Sequence, residues 1–211
     1  MTAPISAAIL ASMRSILAAL IIAVASTTTE LQAQLDYNAR VGVTWSTALI
    51  RDDIVAEVET QPRLAPTLVL GASLPIAPLY QAGLEVALTS SGYRAEEAGI
   101  SRDLGTLRTG SVNLGLQGPI SGSFRWRAGA GLLGYWPKNE RGIFLRGGTT
   151  RFLAGAGVDY RRPVHSQWEM IVSVRYDFHR FTTEELQARG FSQSQGVQRV
   201  SATVGLARGG R

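Results

Sequence analysis

Apolar and polar residues alternate one by one along eight stretches of this chain. In residues 36–50, Tyr37, Ala39, Val41, Val43, Trp45, Thr47 and Leu49 are interleaved with Asn38, Arg40, Gly42, Thr44, Ser46 and Ala48. A period of two is the mark of a strand with two unlike faces. The division recurs at 66–75, 79–90, 107–118, 123–136, 150–162, 167–181 and 197–208. The connections alternate too. Residues 51–65, 91–106, 137–149 and 182–196 are long and polar, whereas 75–78, 118–122 and 162–166 are tight. Hairpins therefore repeat about every 40 residues, a spacing shared with propeller blades, but two long strands per repeat fit a barrel and not a four-stranded blade. The mature chain's prolines lie in connections or at strand edges, as the missing N–H requires.

The two faces differ in a way that fixes their surroundings. One face carries aromatic residues near both strand ends: Tyr80, Phe124, Trp126, Tyr160 and Trp168 by the short turns, and Trp45, Trp136, Phe152, Tyr176 and Phe178 by the long connections. Leu, Val and Ala lie between these bands, which is the layout of aromatic girdles around a lipid-facing zone. The other face offers glycine with opposite charges, namely Arg40, Arg125, Arg127, Arg151, Arg161 and Arg175 against Glu85, Asp159, Glu169 and Asp177. That is a poor lining for an apolar ligand and a good filling for a narrow lumen, where arginine and carboxylate pair. The pattern predicts an all-β chain: an eight-stranded antiparallel up-and-down transmembrane β-barrel over 36–208, with an even strand count that puts both chain ends on the short-turn side.

Composition sharpens this picture. The 211 residues suffice for one domain, and no cysteine is present, which excludes disulfides, thiolate metal sites and cysteine catalysis. The net charge of +5 arises from arginines dispersed singly, so no nucleic-acid partner is expected. Residues 1–33 read as a signal peptide with a short tail: Arg14 precedes the apolar run Ile16 to Ala25, and cleavage is expected after Ala25 or near Ala33. Ten apolar residues are too few for a spanning helix, which needs about 20. No later stretch is long enough either, and a membrane protein without such helices must close its strands into a barrel.

Together these residues resemble the small OmpA/OmpX-type outer-membrane barrels over roughly 36–208, a resemblance of architecture and not of a specific motif. It implies a bacterial outer-membrane location, a monomer, contact with outer-membrane lipid and lipopolysaccharide, and delivery by the barrel-assembly machinery. Such barrels commonly end on an aromatic residue, whereas this chain closes Leu206-Ala207-Arg208-Gly209-Gly210-Arg211, so either another signal is read or the last strand lies elsewhere. Some members edit lipid A, which directs attention to His179 and Asp177, two residues apart near Thr182 and Thr183. These are ingredients of a nucleophile, base and orienting group, but a triad is made by geometry. His165 beside Ser166 reads as a turn residue. Two histidines far apart and no cysteine predict no metal site, and no cofactor motif is present. The reading is a non-catalytic barrel with a structural, envelope-integrity or surface-contact role through four long external loops. The alternatives are a narrow pore or carrier for small molecules and an outer-rim lipid A-modifying enzyme.

Overall fold

The computed structural model describes residues 35–52, 58–62, 64–97, 100–139, 142–145, 147–188 and 194–208; the expected signal peptide and its cleavage sites lie outside them. Among the described residues ten strands are formed: β1 (Asp36–Ser46), β2 (Ile50–Asp52), β3 (Val58–Pro62), β4 (Ala65–Ala77), β5 (Tyr80–Glu97), β6 (Ile100–Ser121), β7 (Phe124–Pro137), β8 (Thr149–His165), β9 (Trp168–Phe181) and β10 (Gln195–Arg208). Eight of them, β1 and β4 to β10, make a closed antiparallel ring. β1 and β10 seal it with a ladder unbroken from Tyr37↔Arg208 to Ser46↔Arg199. The last strand thus lies where the alternation put it.

Two long connections are more ordered than the alternation predicts. β5 and β6 continue as one hairpin to the pair Glu97↔Ile100. In place of the loop 51–65, β2 and β3 form a second hairpin, and β3 adds to β5 from Val58↔Glu97 to Pro62↔Tyr93. Clear of lipid, a strand needs no apolar face but must still pair its backbone groups, so polar ladders leave no period-two signal. The 22 residues of β6 reach about 70 Å at about 3.3 Å each, whereas a crossing takes about 10 residues. The distal ends of β5 and β6, with β2 and β3 added to them, therefore stand beyond the rim as a small sheet.

The short turns are tighter than the sequence reading allowed. Ala77↔Tyr80, Ser121↔Phe124 and His165↔Trp168 each close a two-residue turn, and each hairpin has a register shift just after a proline, at Pro75, Pro119 and Pro163. The prolines are thus inside strand ends. A bulge beside each absorbs the hydrogen bond that proline cannot give. Gly122, with φ of 53°, supplies the left-handed residue that such a turn requires.

Sidedness follows the alternation. Val41, Leu114 and Phe152 are 58, 67 and 66% exposed, whereas Arg40 retains 2%. The apolar side chains cover the outside. Within the wall, Gly83, Gly115, Gly129 and Gly155 are paired in succession across β5, β6, β7 and β8. A Cβ on Gly115 would meet the Ala128 carbonyl oxygen at 2.6 Å, so this row must stay bare. It leaves inner space for the long side chains of neighbouring strands.

Candidate functional site

The lumen is layered along the barrel axis. At the short-turn end, a mouth cavity of about 210 Å³ is lined by Asp36, Arg125, Arg161, His165, Trp168 and Glu169 among others. Arg161 reaches Glu169 at 3.7 Å and donates through Nη2 to Gln117 Oε1 at 3.0 Å. Gln117 Nε2 donates to Gln81 Oε1 (2.6 Å) and Ser73 Oγ (3.0 Å), and Gln81 Nε2 donates to Asp36 (2.7 Å). An amide chain thus links β1, β5, β6 and β8. Arg125 points to the Leu79 carbonyl at 3.5 Å.

The middle layer is built around one carboxylate. Glu85 pairs with Arg40, with Arg127 and, at 3.3 Å, with Arg175. Arg127 Nε faces Asp159 at 3.3 Å while its Nη2 donates to Ser173 Oγ at 2.8 Å. Arg175 Nε donates to Asp177 Oδ1 at 2.7 Å. Register explains the gathering: Gly157 is paired with Arg127 on one side and Arg175 on the other, so both guanidiniums lean over a residue with no side chain. Gly71 is likewise the cross-strand partner of Glu85. Arg151 stands apart from these carboxylates and donates to the Thr182 carbonyl near the opposite rim, through Nε at 3.1 Å and through Nη2.

Above the charges come two threonine pairs, Thr44 with Thr67 and Thr89 with Thr109, each 2.6 Å apart. An apolar cap then closes the upper lumen: Leu49, Tyr93, Leu107, Leu133, Tyr135, Phe144, Leu153, Phe181, Leu186 and Val197 are all buried. Phe144 comes from a 3₁₀ turn (Gly142–Phe144), and Leu186 comes from a short helix, α1 (Glu184–Ala188). Tyr93 and Phe144 meet edge to face with centroids 5.9 Å apart, as do Tyr135 and Phe181 at 5.2 Å. Thr183 fastens both inserts, because its Oγ1 donates to the Ile143 carbonyl (2.8 Å) and accepts from the Leu186 N–H (3.2 Å), capping α1.

This cap is absent from the sequence reading, although a signal exists. Alternation breaks at the upper strand ends, where Leu132-Leu133 and Phe152-Leu153 place apolar residues on both faces. The first of each pair looks outward and the second inward.

The structure separates the candidate catalytic residues. His179 is 1% exposed and its Nε2 is 2.7 Å from the Tyr135 hydroxyl. Nδ1 has no hydrogen-bond partner among the described residues, and the Asp177 carboxylate turns to Arg175 instead. His165 is exposed at the opposite end. Among the described residues, no group of three or more His, Asp or Glu could hold a metal ion.

The aromatic residues lie on the outside in two bands. By the short turns, Tyr80 approaches Trp126 at 6.4 Å and Phe124 approaches Tyr160 at 5.3 Å, with Trp168 exposed nearby. Toward the other rim, Trp45, Phe152, Tyr176 and Phe178 are exposed. Trp126 and Trp136 are half-buried because Gly118, and Gly110 with Gly134, leave bare patches beneath their rings.

No family model matches the sequence, and no curated protein matches it. Among solved structures, the chain is similar to Neisserial surface protein A, with 9% identity, a TM-score of 0.54, and coverage of 83% of this chain and 97% of that one. Ail, the attachment invasion locus protein of Yersinia pestis, matches at 14% identity and a TM-score of 0.46 over 83% of this chain and 98% of its own, in the structure with the heparin analogue sucrose octasulfate. The outer membrane protein AlkL matches at 14% identity and 0.42 over 81 and 89%. The chain has the fold of the small eight-stranded outer-membrane β-barrels.

Proposed function

We propose that the protein is a non-catalytic, monomeric resident of the bacterial outer membrane that acts through the sheet it raises above the rim, as a surface-contact or envelope-integrity element. The observation that carries this reading is the double closure of the lumen. Ion pairs cross its middle and an aromatic cap fills its top, so a solute path would have to part both, while β5 and β6 extend well past the span a bilayer requires. The absence of catalysis is supported by the engagement of His179 with Tyr135 and of Asp177 with Arg175. Arg108, the cross-strand partner of Trp136, and Arg180, two residues beyond Phe178, are exposed just past the upper aromatic band. They suit the phosphates of lipopolysaccharide, which guanidinium binds through paired hydrogen bonds.

The test replaces residues 94–103 by a two-residue turn. The barrel should still form, shown by a heat-sensitive shift in gel mobility, while attachment of expressing cells to host surfaces or their resistance to detergent falls. Unchanged phenotypes would overturn the surface role. A steady open level in planar bilayers would favour the pore, and an altered lipid A mass profile that reverts in His179→Ala would favour the enzyme.

A further inference from the structure

We propose that the outer wall at the short-turn rim, from β8 to β10, is a binding site for the head group of an anionic phospholipid, with Arg162 and Arg208 on its phosphate and Trp168 between them. Both arginines continue the lipid-facing positions of their strands, Arg162 after Val158 and Tyr160, and Arg208 after Val204 and Leu206. Both are exposed. Register sets them around one strand, since Arg162 is paired with Met170 and Arg208 with Trp168, both on β9. Two strand spacings of about 4.8 Å across and two residues of about 3.3 Å along separate their Cα atoms by about 12 Å, a gap that two extended arginines close from opposite sides. Among the described residues neither guanidinium has a carboxylate partner, and Arg208 Nη2 donates to Gln167 Oε1 at 3.3 Å. The carboxylates described at this end, Asp36 and Glu169, line the mouth cavity inside the wall. The outward charge of this arc is therefore wholly positive among the described residues.

Position selects a lipid over a dissolved anion. The arginines lie at the level of Tyr160 and Trp168, in the aromatic band that marks the boundary of membrane and water. The wall above them is apolar and faces outward: Val172 is paired with both Tyr160 and Val204, and Val172, Val204 and Leu206 are exposed. A head group held by the arginines thus lays its acyl chains on a surface that already meets hydrocarbon. In barrels of this kind the short turns face the periplasm, where the leaflet is phospholipid and not lipopolysaccharide. Guanidinium takes phosphate through paired hydrogen bonds, and clustered basic residues at a membrane surface favour lipids of net negative charge. The rest of the rim supplies a contrast. From β4 to β7 the large exposed side chains at this end are Ile76, Leu79, Tyr80, Ile120 and Phe124, all uncharged, so the site is confined to one arc. It lies at the opposite rim from the external sheet and is independent of the contacts made there.

The experiment is native mass spectrometry of the refolded mature chain, released from micelles that contain phosphatidylglycerol and phosphatidylcholine in equal amounts. Wild type should retain phosphatidylglycerol several-fold over phosphatidylcholine. Arg162→Gln combined with Arg208→Gln should bring the ratio close to one, whereas Arg94→Gln combined with Lys138→Gln, which removes the same charge from the opposite rim, should leave it as in wild type. No preference in wild type would reduce the two arginines to general interfacial anchors and overturn the site. So would an equal fall in both double variants, which would make net charge the cause. Inorganic phosphate added to the micelles should not displace the lipid; displacement would overturn the assignment to a head group. Should the Arg162 and Arg208 variant fail to fold, the wild type decides by NMR in micelles. Phosphatidylglycerol spin-labelled near the top of an acyl chain should broaden the backbone amides of Arg162 and Arg208 more than those of Tyr80 and Phe124 on the other arc, and equal broadening overturns the proposal.

Discussion

Replacing Glu85 by glutamine isolates the interaction on which the middle layer depends. The change keeps shape and removes one charge from a group whose side chain is 18% exposed, facing arginines whose side chains are 1, 10 and 9% exposed. Two guanidiniums about 5 Å apart repel by roughly 3 kcal/mol at an effective dielectric constant near 20. Arg127 and Arg175 keep Asp159 and Asp177; Arg40 loses its direct carboxylate partner. The expected loss is therefore that of a single broken buried pair, about 3–5 kcal/mol, and not the sum of three. Urea titration of the protein folded in lipid vesicles, followed by tryptophan fluorescence, would read it. Arg40→Met combined with Glu85→Gln should recover a large part, because the stranded cation leaves with its partner. If Glu85→Gln lies within about 1 kcal/mol of wild type, the range of solvent-exposed pairs, water already screens these charges and the tight pairing described above is mistaken.

Three further outcomes follow from the same geometry. Leu114→Arg, on the lipid face, should cost about 2–4 kcal/mol if the residue lies near the bilayer midplane, measured by the same titration. Gly115→Val should prevent heat-sensitive folding in gels, since even a Cβ there would press on the Ala128 carbonyl and overpacking typically costs about 1–3 kcal/mol or more. Tyr135→Phe should leave His179 Nε2 buried and unpaired, destabilising by about 1–3 kcal/mol, with no change in the lipid A mass profile.

The transmembrane part of the fold was legible because lipid imposes a strict rule: every second residue must be apolar, and every proline must find a strand end. Leu68, Leu70, Val172 and Val174 obey it and face outward. Above the lipid the rule lapses. Residues 91–97 and 100–106 continue as paired strands without a regular apolar/polar alternation in their sequence, and β3 extends their ladder from Val58↔Glu97 to Pro62↔Tyr93. Pairings inside the lumen were only partly legible, since alternation places Arg151 and Arg175 on one face yet does not say which group across the lumen each of them meets. Arg175 reaches Glu85 and Arg151 reaches the rim. The apolar cap needed the opposite inference, that two successive apolar residues end the bilayer zone. Phe144, delivered by a turn remote in sequence, carried no periodic signal at all.

The seam between β1 and β10 joins residues more than 150 positions apart. Of all the ladders it closes the longest loop of chain, so the ring cannot be completed until the final strand has arrived. Any nascent chain halted before residue 195 would meet the membrane as a curved sheet with two raw margins, each offering unpaired amides to hydrocarbon. Quality control is thereby built into topology: partial products have no stable home in the bilayer, and only the whole ring is tolerated there.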